Sequence, residues 1–229
     1  MTVTFRPLAL REVLGLGRSI VRDFHPYELR GYRYARREVL GGKAVALAVE
    51  AGGAYAGYLI HGKPDRHGLL RIAYLATEPR FRGQHIGEQT LTLLRRRYPH
   101  SAIYFEVEDP DFAENDEERR LMERRIGFYE RCGFTLLRFR LAAGPWKLCC
   151  MASDPRREEK FRRLYQERWS PSVVIGGEKK KQDGSPLGLL SCFLLCGVWS
   201  QHLSGTGRRF AVRVVRCAFH RRTFRCPGK

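Results

Sequence analysis

The chain has 229 residues, 43% hydrophobic and 29% charged, a length and balance that suit one well-buried domain with some chain left over. No apolar run approaches the roughly 18–20 residues needed to cross a bilayer, and Met1-Thr2-Val3-Thr4-Phe5-Arg6-Pro7 has no basic patch followed by an apolar stretch, which argues against a secretory leader. The net charge is +18, and the seven cysteines, odd in number and without framework spacing, fit reduced thiols in a cytoplasm better than disulfides.

Residues 2–8 read as a short strand. Over residues 10–24, Val13, Gly17, Ile20, Val21 and Phe24 recur at helical spacing. A second helix is expected from Pro26, tolerated in a first turn, to Leu40, stopped by Gly41-Gly42. Residues 44–49 and 54–60 form a hairpin across Gly52-Gly53. The run over 69–77 is apolar on both faces except for Arg71, as in a central strand covered on both sides.

Residues 86–98 read as a helix with Gly87, Leu91, Leu94 and Tyr98 on one stripe, and 102–108 as a strand. Asn115, with Glu118 three residues on, has the capping-box pattern of a helix start, and that helix runs to Cys132. Residues 136–141 and 146–151 are two closing strands, and 158–169 a last amphipathic helix with Phe161, Leu164, Tyr165 and Trp169 on one side. After Pro171 the pattern is lost. Residues 176–186 are polar and Gly-rich like a linker, and 187–199 are apolar but too short to span a membrane. Residues 174–229 hold 11 of the 42 basic residues and only 2 of the 24 acidic ones. We expect a domain over 1–170 and a basic, poorly ordered extension over 171–229. A solvated tail is the favoured reading of that charge, and a nucleic-acid contact the second.

Two segments carry most of the functional information. Thr77-Glu78-Pro79-Arg80-Phe81-Arg82-Gly83-Gln84-His85-Ile86-Gly87 ends an apolar run and opens a helical one through a Gly- and Arg-rich turn. Such a turn aims backbone N–H groups and a helix N-terminus at one point, which suits a phosphate. Ile126-Gly127-Phe128-Tyr129-Glu130-Arg131-Cys132-Gly133-Phe134 closes an amphipathic helix, with a Tyr near its end and a Gly directly after it. In this order and spacing the pair resembles the pyrophosphate loop and the Phe-Tyr-x-x-x-Gly-Phe segment of the GNAT superfamily of acyl-CoA-dependent N-acetyltransferases. The element order βααβββαβαββ with a C-terminal helix is also that family's: an α/β (α+β) fold with a mixed central sheet of about seven strands flanked by helices.

The resemblance covers residues 1–170 and implies that two central strands splay apart to admit the pantetheine of acetyl-CoA. It implies backbone contacts from Leu75, Ala76 and Thr77, and pyrophosphate contacts from Arg82, Gly83, Gln84, His85, Ile86 and Gly87. Arg80 and Arg131 could meet the cofactor's phosphates. His85 stands where the family has its middle glycine; histidine is found at positive φ more often than most residues, and its N–H is retained. The resemblance also implies that Tyr129 protonates the departing thiolate. Many relatives place an Asn upstream of this Tyr, where Met122-Glu123-Arg124-Arg125 stands here.

A base must deprotonate the acceptor ammonium, and the strand places Tyr104, Glu106 and Glu108 on one face by alternation, so both carboxylates are candidates. The acidic run Asp109, Asp111, Glu114, Asp116, Glu117 and Glu118 meets a helix dipole, or forms a rim that attracts a cationic amine. Cys149 and Cys150 point to opposite faces and cannot share a metal, and residues 192–226 contain no Cys-x-x-Cys pair. The expected activity is transfer of an acetyl group from acetyl-CoA to a primary amine, small-molecule or peptide, by direct attack and without a metal or a membrane partner. The alternative is a GNAT-fold module that binds acyl-CoA or nucleic acid without catalysis.

Overall fold

The computed structural model describes residues 2–24, 28–143, 146–169 and 173–175, all within one compact unit. The expected helix start at Pro26 and the extension from residue 176 onward lie outside these residues. In chain order the elements are β1 (Val3–Pro7), α1 (Leu10–Gly15), α2 (Gly17–Asp23), α3 (Glu28–Leu40), β2 (Ala44–Ala51), β3 (Ala54–Gly62) and β4 (Leu69–Thr77). Then follow α4 (Ile86–Arg97), β5 (Ala102–Glu108), α5 (Asp116–Arg131), β6 (Thr135–Ala143), β7 (Trp146–Ala152), α6 (Glu158–Trp169) and β8 (Val173–Ile175).

The strands form one eight-stranded sheet in the order β1-β2-β3-β4-β5-β7-β6-β8. Every neighbouring pair is antiparallel except β4 and β5. The expected mixed sheet is therefore present, with one strand beyond the anticipated seven: β8 pairs with β6 from Leu141↔Val173 to Phe139↔Ile175. A three-residue strand offers too little periodicity to be seen in sequence. The single helix expected over 10–24 is corrected to two, α1 and α2, broken at Leu16, which lies between Gly15 and Gly17. Glycine is about 1 kcal/mol poorer than alanine in a helix interior.

Alternation sorts the core onto two sides of the sheet. Leu47, Leu59, Leu70, Ile103, Phe105 and Cys149 pack on one side with Leu91 and Leu94 of α4 and Ile126 of α5. On the other side, Ala46, Tyr58 and Ile60 meet Val13, Ile20 and Tyr32 of the first three helices. Further along that side, Tyr104, Cys150, Phe139 and Leu141 meet Phe161 and Tyr165 of α6. Cys149 and Cys150 thus face opposite sides, as alternation requires. Each fully buried Leu or Phe here contributes about 1.5–3 kcal/mol.

Local signals behave as their chemistry dictates. Gly52 and Gly53 both take positive φ, 58° and 81°, and close the β2–β3 hairpin between Ala51 and Ala54. Asn115 caps α5 by accepting from the Glu118 N–H at 2.9 Å, while the Glu118 carboxylate reaches one residue further back, to the Glu114 N–H at 2.7 Å.

Candidate functional site

The site is built on a fork in the sheet. β4 and β5 pair over only three residues, Leu69↔Ala102, Leu70↔Ile103 and Arg71↔Tyr104. Beyond Arg71, β4 stays with β3 through Gly57↔Thr77, while β5 stays with β7 through Glu108↔Leu148. A bulge lies just past the point of divergence: Ile60 pairs with Tyr74 and His61 with Ile72, so Ala73 is an extra residue. An added residue bends a strand and reverses which face its side chains take. Accordingly Ile72 joins the α4–α5 side, while Tyr74 joins the side of α1–α3. The half-buried Leu75, Ala76 and Thr77 line β4 beyond the fork.

Gly57 fixes how closely β3 and β4 can lie there, because a Cβ on it would fall 2.1 Å from the Ala76 carbonyl oxygen. The connection that follows is anchored by the Glu78 N–H donating to the Ala56 carbonyl at 2.8 Å and by the buried ring of Phe81. The chain then turns through Gly83 at φ 76° and His85 at φ 57°, and α4 begins. His85 is the single non-glycine residue at positive φ among the described residues, so it takes the backbone conformation that a glycine would. Its exposed ring lies 3.1 Å from the Glu88 carboxylate, and no side chain caps the helix. The first N–H groups of α4 therefore present an uncapped, positive end.

Gly87 is where the two sequence segments converge. A Cβ on it would lie 3.1 Å from Cζ of Phe128 and 3.9 Å from Oγ1 of Thr77. The ring next to Tyr129 thus rests on the helix start that the loop creates. Tyr129 itself stacks among Phe105, Phe128 and Phe134, with ring centroids 4.4, 5.1 and 6.5 Å away. This desolvation pushes its hydroxyl pKa up to about 12, with Arg125 opposing and Glu108 adding to the shift. Tyr129 stays protonated at neutral pH and can act as a donor.

The two candidate carboxylates part company. Glu108, at the end of β5, forms an ion pair with Arg125, one turn before Tyr129 on α5. Glu106 lies toward α6: Arg71 grips it through Nε–Oε1 at 2.9 Å and Nη2–Oε2 at 2.8 Å, and the Tyr165 hydroxyl donates to it. Burial opposes the charge of Arg71, but the charge and hydrogen bonds of Glu106 outweigh it and raise the arginine's pKa. Glu106 is therefore held on the opposite side of the sheet from the rings around Tyr129.

The loop arginines also have partners. Arg82 donates to the Thr77 carbonyl and to Asp23, each at 3.4 Å, and Arg80 donates to the Tyr55 carbonyl at 3.2 Å and lies over the Phe81 ring. Arg131 is exposed and folds back toward Gly127. Sequence reasoning missed Asp23, Arg125 and Tyr165 because each acts through a partner distant in the chain. Arg71 left a trace, as the one charge in an apolar strand.

Among the described residues no cluster of metal-ligating side chains occurs, and no helix is long and apolar enough to cross a membrane. Comparison with known proteins agrees with this architecture. Residues 42–136 match the family model described as acetyltransferase (GNAT) domain, a span that includes the fork, the loop and α5. The fold is shared with a GNAT-family protein from Bacteroides thetaiotaomicron, with a TM-score of 0.56 and 22% identity over 71% of this chain and 96% of that one. It is also shared with a protein described as histone acetyltransferase HPA2 and related acetyltransferase from Corynebacterium glutamicum, with a TM-score of 0.52 and 15% identity over 68% of this chain and 97% of that one. A search of curated protein sequences gave no match. The forked sheet and its phosphate-type loop thus lie within the span, residues 42–136, that matches a GNAT acetyltransferase domain, and the fold is the one that the Bacteroides GNAT-family structure has.

Proposed function

We propose that the protein is an N-acetyltransferase that moves an acetyl group from acetyl-CoA to a primary amine by direct attack. The observation that carries this reading is the three-residue β4–β5 ladder, which opens a fork beside an uncapped helix start. In this reading the backbone of Leu75, Ala76 and Thr77 hydrogen-bonds the extended pantetheine and helps polarise the thioester carbonyl. The turn of Arg82, Gly83, Gln84, His85, Ile86 and Gly87 holds the pyrophosphate on the start of α4, and Arg131 adds charge nearby.

The amine nitrogen attacks the carbonyl carbon, the C–S bond breaks, and the thiolate takes the proton of the Tyr129 hydroxyl. The apolar ring cluster around Tyr129 supports that role in one respect: it keeps the hydroxyl protonated, and so available to donate to the sulfur as negative charge builds there. Of the two carboxylates, Glu108 is the better base, directly or through water. It sits at the open end of β5 beside α5, whereas both oxygens of Glu106 are engaged by Arg71 or Tyr165. The acidic residues from Asp109 to Glu118 suit a cationic acceptor approaching that end. The basic residues from 174 onward stand outside this mechanism, and the protein is assigned to the cytoplasm.

Stabilisation of the full chain against thermal unfolding by millimolar acetyl-CoA tests the binding half of this proposal. CoA release with a panel of amines, comparing wild type with Tyr129→Phe, tests the chemistry. A fall in kcat of about 100-fold or more is expected for the variant, and undiminished turnover would remove Tyr129 from the acid role.

A further inference from the structure

Asp23, the last residue of α2, is the most deeply set acid near the loop, with a side chain only 2% exposed. Four donor contacts converge on it. Arg22 reaches Oδ1 through Nε and Oδ2 through Nη2, both at 2.9 Å; Tyr58 donates its hydroxyl to Oδ2 at 3.2 Å; and Arg82 donates to Oδ1 at 3.4 Å. Arg22 also spans to Glu78, at 2.8 and 3.1 Å. The helix that precedes α3 is thereby tied to the connection between β4 and α4 at two points, Glu78 and Arg82.

Arg82 differs from the other members of this group. Its side chain is 61% exposed, and its two contacts, to Asp23 and to the Thr77 carbonyl, are both long. An arginine swings over many rotamers unless something fixes it, and each immobilised side chain of this length removes conformational entropy that a bound anion would otherwise have to offset. A buried carboxylate on one side of the guanidinium leaves the outward N–H groups directed at solvent.

We propose that Asp23 is a positioning residue that pre-orients the Arg82 guanidinium for the diphosphate of the acyl donor. The inference rests on the reading of the loop as the donor's phosphate site. Arg22 completes the arrangement by neutralising the charge on Asp23, so that the carboxylate steers Arg82 without repelling the phosphates. Glu78 holds Arg22 in place.

The test is a double-mutant cycle on acetyl-CoA affinity, measured by calorimetry on the full chain, with variants Asp23→Asn, Asp23→Ser, Arg82→Gln and the two pairs. Serine keeps an acceptor for Tyr58 and removes the charge. Each Asp23 variant is expected to weaken binding about fivefold when Arg82 is present and less than about twofold when it is replaced. The maximal rate at saturating donor should change little. Equal weakening in both backgrounds would overturn the proposal, since it would mean that Asp23 acts on the fold and not through Arg82. Loss of the folded state in both Asp23 variants, under conditions where Arg82→Gln stays folded, would overturn it as well. Wild-type protein that fails to bind acetyl-CoA would refute the parent reading instead, and is a separate outcome.

Discussion

Replacing Glu106 by glutamine decides whether this carboxylate serves the chemistry or the fold. In the native arrangement Glu106 accepts charge-assisted hydrogen bonds from both Nε and Nη2 of Arg71, Nε being shared between its two oxygens, and one from the Tyr165 hydroxyl. Glutamine has the same shape but one amide nitrogen, which must point a donor at a donor of Arg71 or at Tyr165. A hydrogen bond to a charged group contributes about 1.5–3 kcal/mol, and breaking a fully buried pair costs about 3–5 kcal/mol. Here the Glu106 side chain is 10% exposed but that of Arg71 is 36% exposed. Water reaches the arginine and screens part of the loss, so we expect about 2 kcal/mol. For a domain of this size that lowers Tm by roughly 4–8 °C.

Arg71→Met combined with Glu106→Leu should recover most of the loss, because removing both charges leaves neither one stranded. Scanning calorimetry of the three proteins is the assay. If Glu106→Gln unfolds within about 2 °C of wild type, the pair does not hold the sheet as argued. If Glu106→Gln abolishes acetyl transfer while its Tm stays unchanged, Glu106 is the base and Glu108 is not.

Three further expectations follow from single positions. Gly57→Ala places a methyl group 2.1 Å from the Ala76 carbonyl, between two backbones that cannot both yield; a loss above about 3 kcal/mol in denaturant unfolding is expected, and a variant with native stability would refute the packing argument. His61 is fully buried, with Nδ1 on the Gly62 carbonyl and its ring against Tyr98, and burial lowers its pKa below the ordinary 6.5. The unfolded chain binds a proton that the folded one refuses, so stability is full above about pH 6.5 and declines as the pH falls below it, by at most about 1.4 kcal/mol per pH unit. A His61→Phe variant should lack this slope, and matching pH profiles for the two proteins would count against it. At His85 the left-handed backbone sets the ranking: His85→Val should cost about 1–2 kcal/mol, whereas His85→Gly should stay within about 0.5 kcal/mol, since relief of strain offsets the looser unfolded chain. The opposite order in urea midpoints would refute the assignment of strain.

The residues of the loop were legible because their chemistry is local. Gly83 and Gly133 at positive φ, His85 standing in for a glycine, and Asn115 as a cap each act within a few positions of themselves. The ends of β4, β5 and α6 also fall where alternation and helical period put them. What could not be read was pairing across distance. Arg71 and Glu106 are 35 positions apart, and Asp23 and Arg82 are 59 apart. Nothing in a surface-like charge announces which distant charge it will meet. The bulge at Ala73 was hidden for a different reason: the strand is apolar on both faces, so an inserted residue leaves no break in its pattern. The helix break at Leu16 was masked by an apolar stripe that ran through two glycines.

The short ladder between β4 and β5 has a consequence for the sheet as a whole. It gives an eight-stranded sheet a free edge in its interior, since β4 beyond Arg71 is paired on one side only. Outer edges endanger a protein because any extended chain can add to them. An inner edge is safer: it opens only along the fork, next to α4 and α5, and a ligand must be slender and amide-bearing to lie along it. The central strand, usually the last to exchange its amide hydrogens for deuterium, should here exchange early at Leu75, Ala76 or Thr77, and slow when such a ligand takes the place of the missing strand.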